Sequence, residues 1–389
     1  MLQGSDDSVV RGSTAYRCTQ AQACCRASLG TGDVGDVRAL AECTTGTTKA
    51  GSNSMRVRIE DVAEAAGVSM KTVSRVLNNE PNVSERTRVA VEAAVEKLQY
   101  RPLASARLLA GRRSYLVAMV YDNPSSNYLM EVELGVLDAC QSQHYNLMLA
   151  PVDYTAKDIV AKVESMIMQS QIDGVVLTPP ITDDVRLLAR LDELGIPYAS
   201  VSAKEQHRRI GAVVDERSAA RDVVLHLAGL GHRRIAHIKG HAAHGASGWR
   251  LAGYRDGLRQ AGLDYDASLV VAGKFFHQSG MDATDRLLDL PEPPTAIFAA
   301  NDDMAAGAIC AICERGLSVP KDVSVCGFDD MPIARHIYPA LTTVRQPSRE
   351  MGRVACLELL KAIRDDKAGK TLELPYELQV RKSTGPARR

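Results

Sequence analysis

Three helical patterns follow one another between Ile59 and Gly111, and they constrain the fold more than any other part of the chain. The segment IEDVAEAAGVSMKTVSRVLN (Ile59–Asn78) predicts two short helices joined by a tight turn. VSERTRVAVEAAVEKLQY (Val83–Tyr100) predicts a third helix, and RPLASARLLAG (Arg101–Gly111) adds a short apolar helix with a leucine pair between basic residues. Because this unit is far shorter than the 389-residue chain, a larger domain must follow it.

The first two helices have the features of a helix-turn-helix. Gly67 lies where the turn requires a residue free of Cβ crowding, and Ser69 stands before the second helix as an N-cap. In such a unit the second helix enters the major groove, where Arg75 can pair with guanine. A solvated helix face is the plainer interpretation of any single basic residue, but turn, cap and apolar seam agree with one another. The seam comprises Val62, Ala63, Ala66, Val68, Val73, Val76 and Leu77, and the outward-facing residues are Met70, Lys71, Ser74, Arg75 and Asn78.

The third helix and the leucine-bearing segment complete this unit. Ser84 is placed to cap the third helix, and Pro102 suits the first turn of the fourth. An apolar wedge on such a fourth helix can open a base step from the minor groove and kink the duplex. The alternative is a plain linker packed on the next domain. The apolar side of the third helix is predicted to consist of Val89, Val91, Ala94, Val95 and Leu98.

The charge of the chain is neutral overall but locally basic. The formal net charge is zero, so affinity for nucleic acid requires local asymmetry. Residues 55–113 hold eleven Lys and Arg against seven Asp and Glu. No apolar run reaches the length of a membrane span, and the first 30 residues lack a stretch typical of a signal peptide. We therefore expect a cytoplasmic protein without a membrane partner, whose nine cysteines stay reduced.

Two cysteine-bearing segments allow more than one interpretation. Cys310 and Cys313 form a lone CxxC in an apolar helical pattern. Without a second pair at zinc spacing they are expected to be small core residues, with metal or redox chemistry as the alternative. Residues 1–54 carry four cysteines without sustained periodicity and are expected to be disordered, with a metal-binding arm as the alternative. Met55 stands just before the first patterned residue, which is compatible with a translation start there.

From Ser114 onward, apolar strands alternate with helical segments. Nearly continuous apolar strands separated by helices indicate parallel sheets covered on both faces. Ten strands exceed one open sheet, so two doubly wound subdomains are expected. The predicted strands are 115–122, 145–153, 173–180, 197–202, 209–215, 234–240, 269–273, 295–302, 323–330 and 341–346.

Polar residues stand where many of these strands end. Ligands of doubly wound sheets bind outside the carboxyl ends of the strands. Carboxylates and carboxamides that converge there suit a polyhydroxylated ligand, because each can hold hydroxyls through two or more hydrogen bonds. For any one residue, capping of the next helix is an equally good interpretation. The strand-end residues are Asp122, Asn123, Asp153, Ser202, Asp215, Asn301, Asp302, Asp329 and Asp330.

The segment VAEAAGVSMKTVSRVLN, followed by VSERTR and YRPLASARLLAG, resembles the DNA-binding head and hinge of the LacI/GalR family of bacterial transcriptional regulators. The similarity extends from roughly Arg58 to Arg381. It implies that Met70 and Lys71 discriminate bases, that Arg75 reads guanine, and that Leu109 is the intercalating hinge leucine. One departure is Arg58, which stands where the family commonly has a capping Thr or Ser. The predicted DNA-binding set is Ser69, Met70, Lys71, Thr72, Ser74, Arg75, Asn78, Arg107 and Leu109.

The later segments carry the same resemblance. GWRLAGY is similar to the family segment whose arginine grips the effector, which implies that role for Arg250. FAANDDMAAG and CGFDDMPIAR imply Asn301 and Asp329, and LTTVRQP implies Gln346. DNPSSNYLM is predicted to line the cleft from the first subdomain. Trp249 and Phe276 are candidates to stack on a sugar, with a core position as an equal alternative for Trp249. The predicted effector-binding set is Asp122, Tyr128, Trp249, Arg250, Phe276, Asn301, Asp329 and Gln346.

We therefore predict an α-helical helix-turn-helix head with a hinge helix, plus an α/β periplasmic-binding-protein-like core of two doubly wound parallel-sheet subdomains. The predicted function is sequence-specific repression of transcription, with operator affinity controlled by a small-molecule effector, a saccharide. A homodimer would place two recognition helices on a pseudopalindromic operator. The predicted boundaries are 1–54 for the extension, 55–101 for the head, 102–113 for the hinge helix and 114–389 for the effector-binding and dimerisation core, with crossovers near 216, 345 and 375.

Other classes of protein fit the sequence less well. The P-loop and nucleophile-elbow patterns are absent and the histidines form no zinc triad, so no catalytic residue, metal or cofactor is predicted. The absence of leucine heptads after the last core segment favours a dimer over a tetramer. The alternatives are a periplasmic-type sugar-binding protein, which needs a secretion signal and no basic head, and a sugar-acting enzyme.

Overall fold

The computed structural model describes residues 57–77, 83–100, 113–203, 210–365 and 369–388. The predicted disordered extension, with its alternative of a metal-binding arm, and nearly all of the predicted hinge helix lie outside the described residues. Within the described ranges, no helix is long and apolar enough to cross a membrane.

The head consists of α1 (Ile59–Ala66), α2 (Met70–Leu77) and α3 (Glu85–Leu98). Gly67 ends α1 with a φ of 64°, in the left-handed region that a residue without Cβ adopts at least cost. The Ser84 side chain accepts a hydrogen bond from the Thr87 backbone and caps α3 as predicted. At the start of α1 the backbone N–H of Arg58 donates to the Asp61 carboxylate at 2.7 Å. One backbone donor at this end is therefore satisfied without a Thr or Ser.

The core of the head confirms the predicted seam and corrects one residue of α3. Val62, Val73 and Val91 are fully buried, one from each helix. Val89 was predicted on the apolar side of α3, but that prediction is wrong because its side chain is 56% exposed. Side chains two positions apart in a helix differ by a rotation of about 200° around the helix axis, so Val89 faces away from Val91. The packed cluster comprises Val62, Ala63, Val73, Val76, Val91, Ala94 and Tyr100, with Ala66, Val68 and Leu77 at its edge.

The first subdomain is built on a six-stranded parallel sheet. Its strands are β1 (Leu116–Tyr121), β2 (Asn146–Pro151), β3 (Gly174–Leu177), β4 (Tyr198–Val201), β5 (Ile210–Val214) and β11 (Thr371–Leu374), in the order β11-β5-β4-β3-β1-β2. The second subdomain has a four-stranded parallel sheet of β6 (Ile235–Lys239), β7 (Val270–Ala272), β8 (Ala296–Ala299) and β9 (Ser324–Cys326), in the order β7-β6-β8-β9. A separate antiparallel pair joins β10 (Thr343–Arg345) to β12 (Glu377–Gln379).

All ten predicted strands are present and each is shorter than predicted, down to three residues for β9 where 323–330 was predicted; β11 and β12 are additional. The two parallel sheets with flanking helices confirm the predicted class of core. The helices are α4 (Ser126–Ser142), α5 (Ile159–Ser170), α6 (Val185–Glu193), α7 (Glu216–Gly229), α8 (Gly245–Gln260), α9 (His277–Leu288), α10 (Asp302–Glu314), α11 (Pro332–His336) and α12 (Ser348–Asp365).

The chain passes between the subdomains at three places. It leaves the first sheet after β5 and enters the second sheet with β6. It returns after β10, because α12 packs against β3, β4 and β5 of the first sheet. A last passage separates β11, which pairs with β5, from β12, which pairs with β10. The three passages lie between residues 214 and 235, 345 and 348, and 374 and 377.

Two glycines let α4 and α12 pack at very short range. A Cβ atom at Gly135 would lie 1.8 Å from the backbone oxygen of Arg349, and one at Gly352 would lie 2.2 Å from that of Val132. The two helix backbones therefore touch where these glycines lie. Further along the same contact, the buried thiols of Cys140 and Cys356 are 3.7 Å apart.

The prediction that Cys310 and Cys313 are core residues is wrong, because both side chains are exposed on α10. Residues three apart share one face of a helix. The opposite side of α10 is buried and includes Ile309 and Ile312. The apolar pattern of this helix is thus continuous enough to hide the position of its solvent face.

Candidate functional site

The N-terminal end of α2 is held by two hydroxyl side chains. Ser69 Oγ accepts a hydrogen bond from the Thr72 backbone N–H at 3.1 Å and forms a second bond with the Thr72 hydroxyl at 2.9 Å. This contact caps the helix and leaves Thr72 half-buried. Both residues belong to the predicted DNA-binding set, and both have a structural task in the head.

The remaining residues of that set which the structure describes lie on the outer side of α2. Val73 and Val76 fix the opposite face in the core of the head. Met70 is 50% exposed, Lys71 and Arg75 are exposed, and Ser74 is half-buried. Long side chains on the outer face of a firmly packed helix are what reading a DNA groove requires. Asn78, Arg107 and Leu109 lie outside the described residues, so their roles stay predictions.

A cavity that is partly open to solvent, with about 390 Å³ of empty space including that open part, lies between the two subdomains, outside the carboxyl ends of their strands. This is the position that ligands occupy in doubly wound sheets. Residues from both subdomains and from the second passage of the chain line it. They are Asn123, Ser125, Tyr128, Pro179, Ser202, Glu216, His244, Ala246, Arg250, Phe275, Asn301, Asp329 and Gln346.

Arg250 of α8 is the most heavily bonded side chain of the cavity. Its Nε donates to Glu216 Oε2 at 2.8 Å, and its Nη1 donates to the backbone oxygen of Ala300. Its Nη2 lies 3.5 Å from Asp329 Oδ1, and its guanidinium lies over the Phe328 ring, 3.7 Å from the centroid. The side chain is only 4% exposed, so the protein fixes the direction of every bond it makes. The guanidinium is therefore preorganised before any ligand binds.

Asp329 follows β9 in a loop of unusual backbone conformation. Its φ is 108° and that of Asp330 is 54°, which turns successive carboxylates in different directions. Asp329 Oδ1 accepts a hydrogen bond from Gln346 Nε2 at 2.7 Å. Burial raises the pKa of the Asp329 carboxyl to about 7, with the Arg250 charge opposing this rise and the Glu216 and Asp303 charges adding to it. A carboxylate that titrates near neutrality thus faces the cavity.

Neighbouring acidic residues of the same strand ends have structural partners instead. Asp302 accepts hydrogen bonds from the Met331 backbone N–H at 2.7 Å and from the Thr343 hydroxyl at 2.6 Å. Asp330 forms an ion pair with Arg345 at 2.8 Å and another with Arg381. Burial raises the pKa of Asp302 well above its usual range, and the charge of Asp329 adds to the effect. These two carboxylates connect the loop after β9 to β10 and to Arg381, which follows β12.

Asn301 and Tyr128 line opposite walls of the cavity. Asn301 caps α10 by accepting from the Met304 backbone N–H at 3.0 Å, while its Nδ2 donates to the backbone oxygen of Phe275 at 3.0 Å. Tyr128 lies on α4 in the first subdomain and is 7% exposed. Burial raises the pKa of its phenol, and the charges of Glu216 and Asp329 raise it further.

A hydrogen bond between Ser125 and Asp303 joins the two subdomains across the cleft. Ser125, at the start of α4, donates from its hydroxyl to Asp303 Oδ2 at a distance of 2.7 Å. Asp303 lies in the first turn of α10 in the second subdomain. Because Ser125 itself lines the cavity, this bond lies directly beside the ligand space.

Five residues of the predicted effector-binding set line the cavity: Tyr128, Arg250, Asn301, Asp329 and Gln346. The other three lie outside its lining. The Asp122 carboxylate accepts from the Tyr154 backbone N–H at 2.9 Å, while Trp249 is half-buried beside Arg250 and Phe276 is 41% exposed.

Sequence reasoning did not single out Phe275 or Glu216 for the site. Phe275 is buried with a φ of 66°, and its ring occupies the space that a Cβ at Gly240 would need. This local packing turns Phe275 inward and leaves Phe276 outward. Glu216 reads as an ordinary acid in the first turn of α7, and only the three-dimensional fold brings it to Arg250. In the sequence, the only trace of this packing is the glycine at position 240, which leaves room for the Phe275 ring.

Two family profiles match the chain. Residues 58–102 match the profile described as bacterial regulatory proteins of the lacI family, and residues 224–384 match a periplasmic binding protein-like domain. The first match covers the described head, and the second covers most of the second subdomain with α12.

Individual proteins are similar over nearly the same length. The catabolite control protein A of Priestia megaterium is 33% identical over 340 residues, which are 85% of this chain and 100% of that protein. Among solved structures, a complex of the transcriptional regulator CelR with cellobiose has a TM-score of 0.63 and 34% identity, covering 84% of this chain and 100% of that one. A lac repressor dimer bound to operator and the anti-inducer ONPF has a TM-score of 0.71 and 29% identity, covering 85% and 99%.

Proposed function

Because the chain belongs to the LacI family of bacterial regulatory proteins, we propose that it is a repressor whose affinity for operator DNA is controlled by a saccharide. Its relatives are named transcriptional regulators and repressors, and the chain is a DNA-binding transcriptional regulator like them. Members of this family are regulators and not enzymes. Since operator DNA lies in the cytoplasm of a bacterium, we also propose a cytoplasmic location.

The observation that carries the saccharide is the cavity between the subdomains. Asn301, Asp329 and Gln346 present amide and carboxylate groups to it, and Arg250 is held in place beside them. Fixed polar groups of this kind recognise vicinal hydroxyls. The similar regulator CelR was solved with cellobiose, which supports a sugar as the ligand class.

The DNA half of the proposal assigns roles to the outer side of α2. Met70 and Lys71 discriminate bases, Arg75 pairs with guanine, and Ser69, Thr72 and Ser74 position the helix or bond phosphate. Asn78, Arg107 and Leu109 complete the predicted set from outside the described residues. The similar lac repressor was solved as a dimer on its operator, so we propose a homodimer on a pseudopalindromic site.

The switch is the relative position of the two subdomains. A saccharide contacts both walls of the cavity and so favours one arrangement of the three passages between them. The first subdomain follows the predicted hinge helix, so its displacement alters the geometry with which a dimer presents its heads.

Thermal unfolding of the full chain with a panel of uncharged sugars, followed by operator titration with the stabilising sugar, tests this function. Cellobiose, glucose and ribose are suitable first members. We expect one sugar to raise the midpoint of unfolding and to weaken operator binding, measured by fluorescence anisotropy of labelled operator. A sugar that stabilises the protein and leaves operator affinity unchanged would contradict the proposal, as would a chain that binds no double-stranded DNA.

A further inference from the structure

We propose that the effector carries no net negative charge, and that Glu216 is the residue that excludes anionic sugars. The inference rests on the proposed function and adds to it a restriction on the ligand. Glu216 is 2% exposed, lines the cavity, and holds Arg250 through a bond of 2.8 Å. An arginine in a sugar site commonly serves to bind a phosphate or carboxylate, but here its charge is already matched by the protein.

The contacts of Arg250 show how completely it is engaged. Its three nitrogens are directed at Glu216, at the Ala300 carbonyl and at Asp329, and one face of the guanidinium is covered by Phe328. A ligand carboxylate or phosphate would have to displace a buried carboxylate to form a bidentate pair. That exchange would leave Glu216 buried without its counter-charge, which is strongly unfavourable. The remaining guanidinium hydrogens suffice for hydroxyl oxygens of a neutral ligand.

Negative charge exceeds positive charge around the cavity. Glu216 and Asp329 line it, and Asp303 lies at its rim through the bond to Ser125. Within the described part of the lining, Arg250 is the single permanently charged cation. At an effective dielectric constant of about 20, like charges about 5 Å apart repel by several kcal/mol. An anion entering this space therefore meets net repulsion.

The hydrogen-bonding groups of the cavity point to the same ligand. The Gln346 Nε2 donates a hydrogen bond to Asp329. Among the described residues, no partner reaches the buried Oε1 of Gln346. A buried acceptor without a partner costs free energy until a donor reaches it. Carboxylates are acceptors as well, so Gln346, Glu216 and Asp329 all present acceptor oxygens in the lining of the cavity. Hydroxyl groups supply the missing donors, whereas phosphate and carboxylate oxygens do not.

The titration of the cavity residues agrees with this charge distribution. Glu216 and Asp303 help to raise the pKa of Asp329, and Glu216 and Asp329 help to raise that of the Tyr128 phenol. Burial is the largest cause in both cases. Both groups are thus harder to ionise than in water, with the Arg250 charge opposing the rise of the pKa in each case.

Matched pairs of neutral and anionic sugars test the proposal on the full chain without DNA. The pairs are glucose and glucuronate, cellobiose and cellobionate, and ribose and ribose 5-phosphate, each titrated by calorimetry. We expect the neutral member of a binding pair to be favoured by about tenfold or more. The Glu216→Gln variant should reduce that ratio at least severalfold, because it keeps the shape of the side chain and removes its charge. The Glu292→Gln variant, altered at a 79% exposed side chain, is the control and should retain the ratio.

Because Glu216→Gln breaks a buried ion pair, Asp303→Asn provides a second variant that lowers the negative charge and leaves the Arg250 pair intact. An anionic sugar that binds as tightly as its neutral counterpart would overturn the proposal. So would a ratio that stays the same in both variants. These outcomes are independent of operator control, because a protein can select neutral sugars and still fail to couple them to DNA.

Discussion

The buried charges of this protein are concentrated around one arginine. Arg250, Glu216 and Asp329 are each at most 4% exposed, in a region where desolvation of each ion is expensive. Their mutual contacts offset that cost only while all three are present. The cluster therefore has a proposed role in ligand binding and also contributes to the stability of the fold. Substitutions within it should affect both.

The Arg250→Ala variant should lower the free energy of unfolding of the core by about 3–5 kcal/mol, because it leaves Glu216 buried without a counter-charge. Thermal unfolding followed by circular dichroism measures the loss. The double variant Arg250→Ala, Glu216→Gln should recover part of it, since the orphaned charge is then removed. Equal midpoints for the single and double variants would show that Glu216 is not the source of the cost.

The raised pKa of Asp329 makes a prediction about pH. In the unfolded chain this carboxyl loses its proton near pH 3.8, and in the folded protein near pH 7. Between these values the folded state holds the additional proton, so the stability contributed by this group falls as pH rises and is constant above about pH 7. The Asp329→Asn variant lacks this group, so the difference in thermal midpoint, variant minus natural protein, should increase from pH 5 to pH 7.5. A difference that is independent of pH would contradict the assignment.

At this scale the sequence predicted part of the site. Asn301 and Asp329 stand at predicted strand ends, and the family resemblance implied both of them together with Arg250 and Gln346. The fold places all four on the cavity. Trp249 and Phe276 were selected for their chemistry alone. The direction of an aromatic side chain depends on its neighbours. Phe276 was predicted to line the cavity, but it is the adjacent Phe275, packed against Gly240, that does so.

Among the helices that the structure describes, α4 and α12 pack most closely at glycine residues. Their backbones meet at Gly135 and Gly352, where a side chain has no room. Because α12 follows directly on the second passage and Gln346, this contact ties the cavity to the first subdomain. Packing this close transmits displacement because neither helix can shift alone.

The Gly135→Ala variant should destabilise the protein by about 1–3 kcal/mol, because its Cβ would collide with the Arg349 backbone. The matched control is Gly229→Ala in α7, where a Cβ meets nothing within 4 Å. That change should be neutral or stabilising by up to about 1 kcal/mol, because alanine loses less entropy in a helix. Midpoints in urea compare the two. A tolerated Gly135→Ala would mean that the helices can separate.

Strand prediction succeeded where strands are apolar on both faces and failed where they are short and half-exposed. The segments of β11 and β12 span four and three residues and alternate polar with apolar side chains, so their pairing depends on β5 and β10. The prediction of which face of a helix is buried failed for a different reason. Val89, Cys310 and Cys313 lie in helices with surplus apolar residues, so periodicity alone does not identify the buried side.

For the whole molecule, the proposed response to a ligand depends on the relative position of the two subdomains. Covalent passages join them at three places, and the Ser125–Asp303 hydrogen bond adds a non-covalent link beside the cavity. A hydrogen bond to a charged group contributes about 1.5–3 kcal/mol. It does so only while the subdomains are close together.

The Ser125→Ala variant should therefore weaken sugar binding by about tenfold, because the closed arrangement loses this bond. Calorimetry with the stabilising sugar measures the affinity. Operator binding by the ligand-free variant should be retained, since the head is unchanged and the lost bond disfavours the sugar-bound arrangement that weakens operator binding. An unaltered sugar affinity would indicate that the bond is present in both arrangements and does not favour closure.

The order in which the chain threads through its subdomains also has a consequence for its synthesis. The head leaves the ribosome first and contains all of its own core residues. The first subdomain, in contrast, waits for α12 and β11, which follow the entire second sheet in the sequence. A product truncated before residue 346 would thus carry the residues that we propose to read bases, without Gln346 and without the edge strand of its first sheet. Such a fragment would lack the complete cavity through which we propose that an effector controls DNA binding.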